Sequence, residues 1–136
     1  MTTPGGEDIP DVSDEEQLVR HLDPRYHWDP KEQRPNTGAF RSQEVSVDRE
    51  QYRTAEIACT YRPGYGFARL AVLVPRQDLG LTVRKDPLVP NPPLLFEPEP
   101  SEQYNPGHAV ILDATSKSHA RQMRDASTVL YRPGEC

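Results

Sequence analysis

The chain has little of what usually announces a function. Of 136 residues only two are Cys, one is Trp, two are Met and three are Phe. Cys59 and Cys136 alone, one of them the last residue, make no disulfide framework and no zinc-ligand spacing. No apolar run approaches the ~20 residues that span a bilayer, and the N-terminus has no basic segment leading into an apolar stretch. No membrane association is therefore expected, and a cytoplasmic location is. The sequence also lacks a Gly-rich phosphate loop, a nucleophile elbow and a metalloprotease helix. Gly64-Tyr65-Gly66 is a fragment of a dinucleotide fingerprint that precedes a predicted strand instead of opening a helix. No metal and no cofactor are expected from such a set.

What is present is uneven. Fifteen prolines are about twice ordinary usage. Residues 1–16 hold six acids and no Lys or Arg, and the remaining 120 carry a net charge of +1. A near-neutral body does not suit a dedicated nucleic-acid binder, so no DNA partner is expected. Thirteen of the sixteen bases are Arg, the side chain better fitted to bidentate capture of carboxylate or phosphate. Residues 1–12 combine Pro, Gly and acid without periodicity, which predicts a disordered tail whose removal leaves stability unchanged. A single domain over 13–131 and a short tail over 132–136 complete the division.

Within the domain, Ser13 with Glu16 makes a capping-box pattern, so Leu18–Leu22 fits a short helix or a strand. Residues 23–40 show neither period, and a loop of that length is often functional. It holds Trp28, which predicts that the loop packs down on the body or forms one face of a binding site. EVSV at 44–47 alternates as a strand does. Asp48 with Gln51 suggests a helix start, and Tyr52, Ala55, Ala58 and Cys59 would share one face. GFARLAVLV at 66–74 reads as a central strand, and LTVRK at 81–85 as its antiparallel neighbour. Seven prolines in 86–106 predict an extended wrap anchored by Leu88, Val89, Leu94, Leu95 and Phe96. Its acids Glu97, Glu99 and Glu102 would be exposed. HAVIL at 108–112 is a further strand, and a helix begins near Thr115 with Ala120, Met123, Ser127 and Leu130 on one stripe. YRPG occurs at 61–64 and 131–134 with unlike flanks, which is shared turn chemistry and not a repeat. These elements predict an α+β domain with a small, mainly antiparallel sheet, helices on one face and long Pro-rich loops.

The polar candidates are few. His27 and His108 could exchange protons near neutral pH, with His21 and His119 as the other imidazoles. Arg20, Arg41 and Arg49 flank the first elements, near Tyr26, Trp28 and Tyr52, and could hold a phosphate or nucleotide. Ser46 lies on the second predicted strand.

His27-Trp28-Asp29-Pro30, Gly38-Ala39-Phe40, Val45–Arg49 and Asn105–Leu112, taken as a spaced set, resemble a group of small, uncharacterised bacterial proteins. The likeness covers most of residues 18–126 and implies a bacterial source, with weight on positions 27, 28, 47–49 and 108. A weaker resemblance is to compact ADP-ribosyltransferase-type folds. Those open with a strand bearing Arg or His and continue with a strand bearing Ser, parts that Arg20 or His21 and Ser46 would take. No downstream catalytic Glu matches, since Glu56 falls in a predicted helix.

Two functions follow as expectations. The first is a non-catalytic accessory protein that binds a bacterial protein partner through its acidic tail and Pro-rich segment. The alternative is a small metal-independent transferase or hydrolase acting on a nucleotide such as NAD, or on RNA. In it His27 and His108 would move protons while Arg20 or Arg49 held phosphate.

Overall fold

The computed structural model describes residues 9–89, 101 and 104–136. Its body is an antiparallel sheet of six strands. In chain order these are β1 (Gln17–Leu22), β4 (Ser42–Arg49), β5 (Gly66–Ala71), β6 (Thr82–Lys85), β7 (His108–Ala114) and β8 (Thr128–Tyr131). A two-stranded ribbon of β2 (Trp28–Asp29) and β3 (Arg34–Pro35) precedes β4. Across the sheet the order is β6-β7-β4-β1-β5-β8, and every pairing is antiparallel. This is the α+β class that the periodicities predict.

Adjacent strand residues point to opposite faces, and the core divides accordingly. Leu18, Leu22, Val45, Val47, Ala68, Leu70 and Ile111 pack on one face beneath α2 (Lys117–Ala126), through Ala120 and Met123. Val19 and Phe67 pack on the other beneath α1 (Ala55–Tyr61), through Ala55 and Ala58. The helices thus lie on both faces, because neighbouring positions 18 and 19, and 67 and 68, are all apolar.

Several local expectations are corrected. The helix alternative at 18–22 loses to the strand, although Ser13 N–H does donate to the Glu16 carboxylate at 2.7 Å. β4 runs on through Asp48, and α1 starts only at Ala55, capped by the Thr54 hydroxyl. β5 is next to the edge strand, and 81–85 does not pair with it. A π-helical turn at Val74–Asp78 carries the chain away, and β6 joins β7 at the far edge. Leu130 belongs to β8 and not to the α2 stripe.

The tail is not a free appendage where it is described. Ile9 and Val12 are buried, and the carbonyls of Pro10 and Asp11 accept from Arg49 at 2.7 and 3.1 Å. Lys85 Nζ donates to the Ile9 carbonyl. Two apolar residues spaced three apart were enough to dock a segment whose composition reads as disordered. Residues 1–8 lie outside the described residues, as do Leu94, Leu95, Phe96, Glu97, Glu99 and Glu102.

Cys59 and Cys136, too few for a disulfide framework, nevertheless form one disulfide with Cα atoms 5.4 Å apart. A separation of 77 residues gives no sequence cue to the pairing. Among the described residues no helix is long and apolar enough to cross a membrane.

Candidate functional site

The site begins where two strands part. β1 stays paired with β5 from Gln17 to Leu22, but its register with β4 covers only Leu18–Arg49 and Val19–Asp48. Past that point the Arg20 guanidinium bridges the gap. Its Nε donates to the Ala39 carbonyl at 2.7 Å and its Nη1 to the Ser46 carbonyl at 2.9 Å. Nη1 also donates to His21 Nε2 at 3.2 Å, which leaves the His21 proton on Nδ1.

Over this opening lies a cleft of about 530 Å³, within the range of small-molecule sites. Arg20, His21, Ser46, Asp48 and His108 line its sheet side. His27 and Arg41 reach it from the segments flanking the ribbon, and Arg53, Tyr61 and Arg62 from around α1. Among the described lining residues four Arg stand against Glu44 and Asp48.

Arg20 is the least ordinary of these. It is 7% exposed, and among the described residues no carboxylate pairs with it. Burial and the nearby Arg62 charge together pull its pKa down to about 10. A buried cation without a counter-ion is costly, and its Nη2 donors have no partner among the described residues. The same field acts on the imidazoles. Burial first, then Arg20, Arg62, His27 and His108, lower the His21 pKa to about 2. Burial and then Arg20 also lower that of His27. Both rings are therefore neutral at pH 7. His27 Nδ1 accepts from the Asp23 amide at 3.1 Å, so its proton sits on Nε2.

His108 differs. Its Nδ1 meets the Asp86 carbonyl at 3.0 Å and the Asp86 carboxylate at 3.2 Å. That fixes the proton on Nδ1 and leaves Nε2 as the basic atom. Directly across the ladder stands Asp48. Burial raises its pKa, partly offset by the Asn105 amide that donates to it at 2.6 Å. A carboxyl whose pKa is raised, beside an oriented imidazole, is the usual equipment for moving protons. Gly107, just before His108, packs so closely on Tyr52 that a Cβ there would overlap that of Tyr52.

The ordering of the long loop explains how His27 reaches the cleft. Asp23 takes a bidentate contact from Arg25 and a hydrogen bond from the Tyr65 hydroxyl. The Asn36 side chain caps the 3₁₀ turn Thr37–Phe40 and donates to the Tyr26 carbonyl.

Of the sequence candidates, Arg20, His27, Ser46 and His108 do converge. Arg49 and Trp28 do not. Arg49 is fully buried, bound to Glu16 by two 2.7 Å contacts, and Tyr52 stacks on it. It anchors the N-terminal segment instead of a phosphate. Trp28 is half-buried and packs against the core on the α2 face, outside the cleft lining. Asp48 falls in the 47–49 stretch that the resemblance weights, whereas Arg53, Arg62 and Asp86 are not legible as site residues because a helix or a loop is expected there. Among the described residues no group of three His, Cys, Asp or Glu could hold a metal ion.

The chain matches no protein family, no curated protein and no solved structure.

Proposed function

We propose that the cleft binds the phosphates of a nucleotide-class ligand, NAD in the first instance, and that the protein is a small metal-independent transferase or hydrolase acting on it. The observation that carries this reading is Arg20: a guanidinium 7% exposed, with no carboxylate partner and no partner for Nη2 among the described residues, at a ligand-sized opening. A phosphate in the cleft would balance that charge, and a fork of N–H donors suits one. The resemblance to ADP-ribosyltransferase-type folds places Arg or His on the first strand and Ser on the next. In this chain Arg20 and Ser46 both line the cleft. In place of a catalytic Glu stand His108, held by Asp86, and Asp48.

In this reading Arg20 and Arg62 hold the phosphates, and neutral His21 keeps the Arg20 fork oriented. His108 Nε2 takes the proton of the attacking hydroxyl or water as the glycosidic bond to nicotinamide breaks. His27, neutral and carrying its proton on Nε2, donates a hydrogen bond into the cleft. A cytoplasmic location fits such a substrate. Incubation with NAD tests the reading. Release of free nicotinamide that His108→Ala lowers by about 100-fold or more supports it, and no release by the wild type removes the catalytic half of it.

A further inference from the structure

The disulfide does more than close the chain. It joins the middle of α1 to the last residue, and α1 has little else to hold it. Seven residues long, the helix buries only Ala55 and Ala58, and a helix that short has no stability of its own. The neighbours of Cys59 are residues of the cleft: Ala58 precedes it, and Tyr61 and Arg62 follow within three positions. Those side chains are tied inward. Arg53 stacks on Tyr61 at 4.8 Å, and Arg62 stacks on Tyr65 at 5.3 Å. Tyr65 in turn donates to Asp23 beside His27. On its other side the bond holds the C-terminal run against the same corner. Gly134 N–H donates to the Gly64 carbonyl, and Cys136 packs with Tyr65 and Tyr131 in the smaller core.

We infer that the Cys59–Cys136 disulfide is a redox latch on the cleft: closed, it fixes α1 and with it Tyr61 and Arg62 for ligand binding; open, it releases them. The inference rests on the cleft's role as a phosphate site. The opening reaction is exchange with a dithiol. The Sγ–Sγ bond breaks, both cysteines leave as thiols, and the dithiol gives up two electrons and two protons as it closes to its own disulfide. The larger core, under α2, has no share in the bond, so the sheet persists when it opens. In a reducing cytoplasm, disulfides are mostly transient and redox-sensing, which suits a bond that reports on the thiol pool by altering one binding site.

The test is calorimetric titration of NAD into three samples: oxidised wild type, wild type reduced with dithiothreitol, and Cys136→Ser. Circular dichroism is recorded on each. All three should be folded, and the last two should bind about 5- to 150-fold more weakly than the first, the usual span of coupling between sites. By linkage, saturating NAD should make the disulfide harder to reduce by the same factor. Equal affinity in the two redox states overturns the latch and leaves the cleft reading intact, and so does unfolding on reduction, which would make the bond a plain staple. Failure of the oxidised protein to bind NAD overturns the cleft reading itself.

Discussion

Arg20 donates from Nη1 to the carbonyl of Ser46, 26 residues further on, and so joins β1 to β4 just past the point where their register ends. One side chain both bridges the strands and places in the cleft a charge that no carboxylate among the described residues pairs. Arg20→Met would remove a desolvated cation, which relieves the fold, and would strip the Ser46 and Ala39 carbonyls of their donor, which costs about 1–3 kcal/mol. The two effects oppose. Urea denaturation of Arg20→Met should show a change within about 2 kcal/mol of wild type, with the variant still folded for the binding test.

His21 gives the protein an acid-sensitive component. Its folded pKa, about 2, lies below the ordinary histidine value because of burial and then Arg20. Between those two values the unfolded chain binds a proton that the folded one refuses. Stability from this group is therefore complete above pH ~6.5 and falls as pH drops, by about 1.4 kcal/mol per unit well below that. His21→Gln keeps an acceptor for Arg20 and does not titrate. The stability of wild type relative to His21→Gln, measured by denaturation from pH 7 to pH 4, should fall steadily. Parallel curves would show that His21 is not held neutral.

Residues 9–12 should contribute measurably to stability. Deleting residues 1–12 removes two buried side chains, each contributing about 1.5–3 kcal/mol, and the carbonyls that Arg49 uses. A loss of roughly 3 kcal/mol or more is expected by chemical denaturation. A melting temperature unchanged on deletion would mean that Ile9 and Val12 do not dock.

These outcomes show which signals the sequence carried. Alternation at 44–47 marks β4, while 66–71 and 108–112 stand out as apolar runs because both faces of the sheet are covered there. The convergence of Arg20, Ser46, His27 and His108 was visible as a list of residue types but not as a place. It depends on strand order, which is set by pairings such as Asp48 with His108, 60 residues apart. β6 was assigned to the wrong neighbour since a six-residue gap suits a hairpin as well as it suits a turn leading away. Arg49 looked like a phosphate ligand because its partner, Glu16, lies 33 residues upstream in what read as a helix cap. The disulfide was illegible for the same reason: its two ends are close only once the sheet has formed.

Trp28 separates loop packing from ligand binding. It pairs with Pro35 in the ribbon and packs on the core under α2, away from the cleft lining. Trp28→Ala should cost about 2–3 kcal/mol, less than a fully buried aromatic, with NAD affinity nearly unchanged. A loss of affinity without a loss of stability would move Trp28 into the site.

The central claim is that Arg20 awaits an anion, and a titration of NAD into wild type and Arg20→Met at low salt tests it most directly. The account predicts saturable binding at one site per chain for wild type, weakened at least about tenfold in the variant and weakened by added salt in the wild type. Wild type that binds no NAD, or a variant that binds it as well as wild type does, would contradict it.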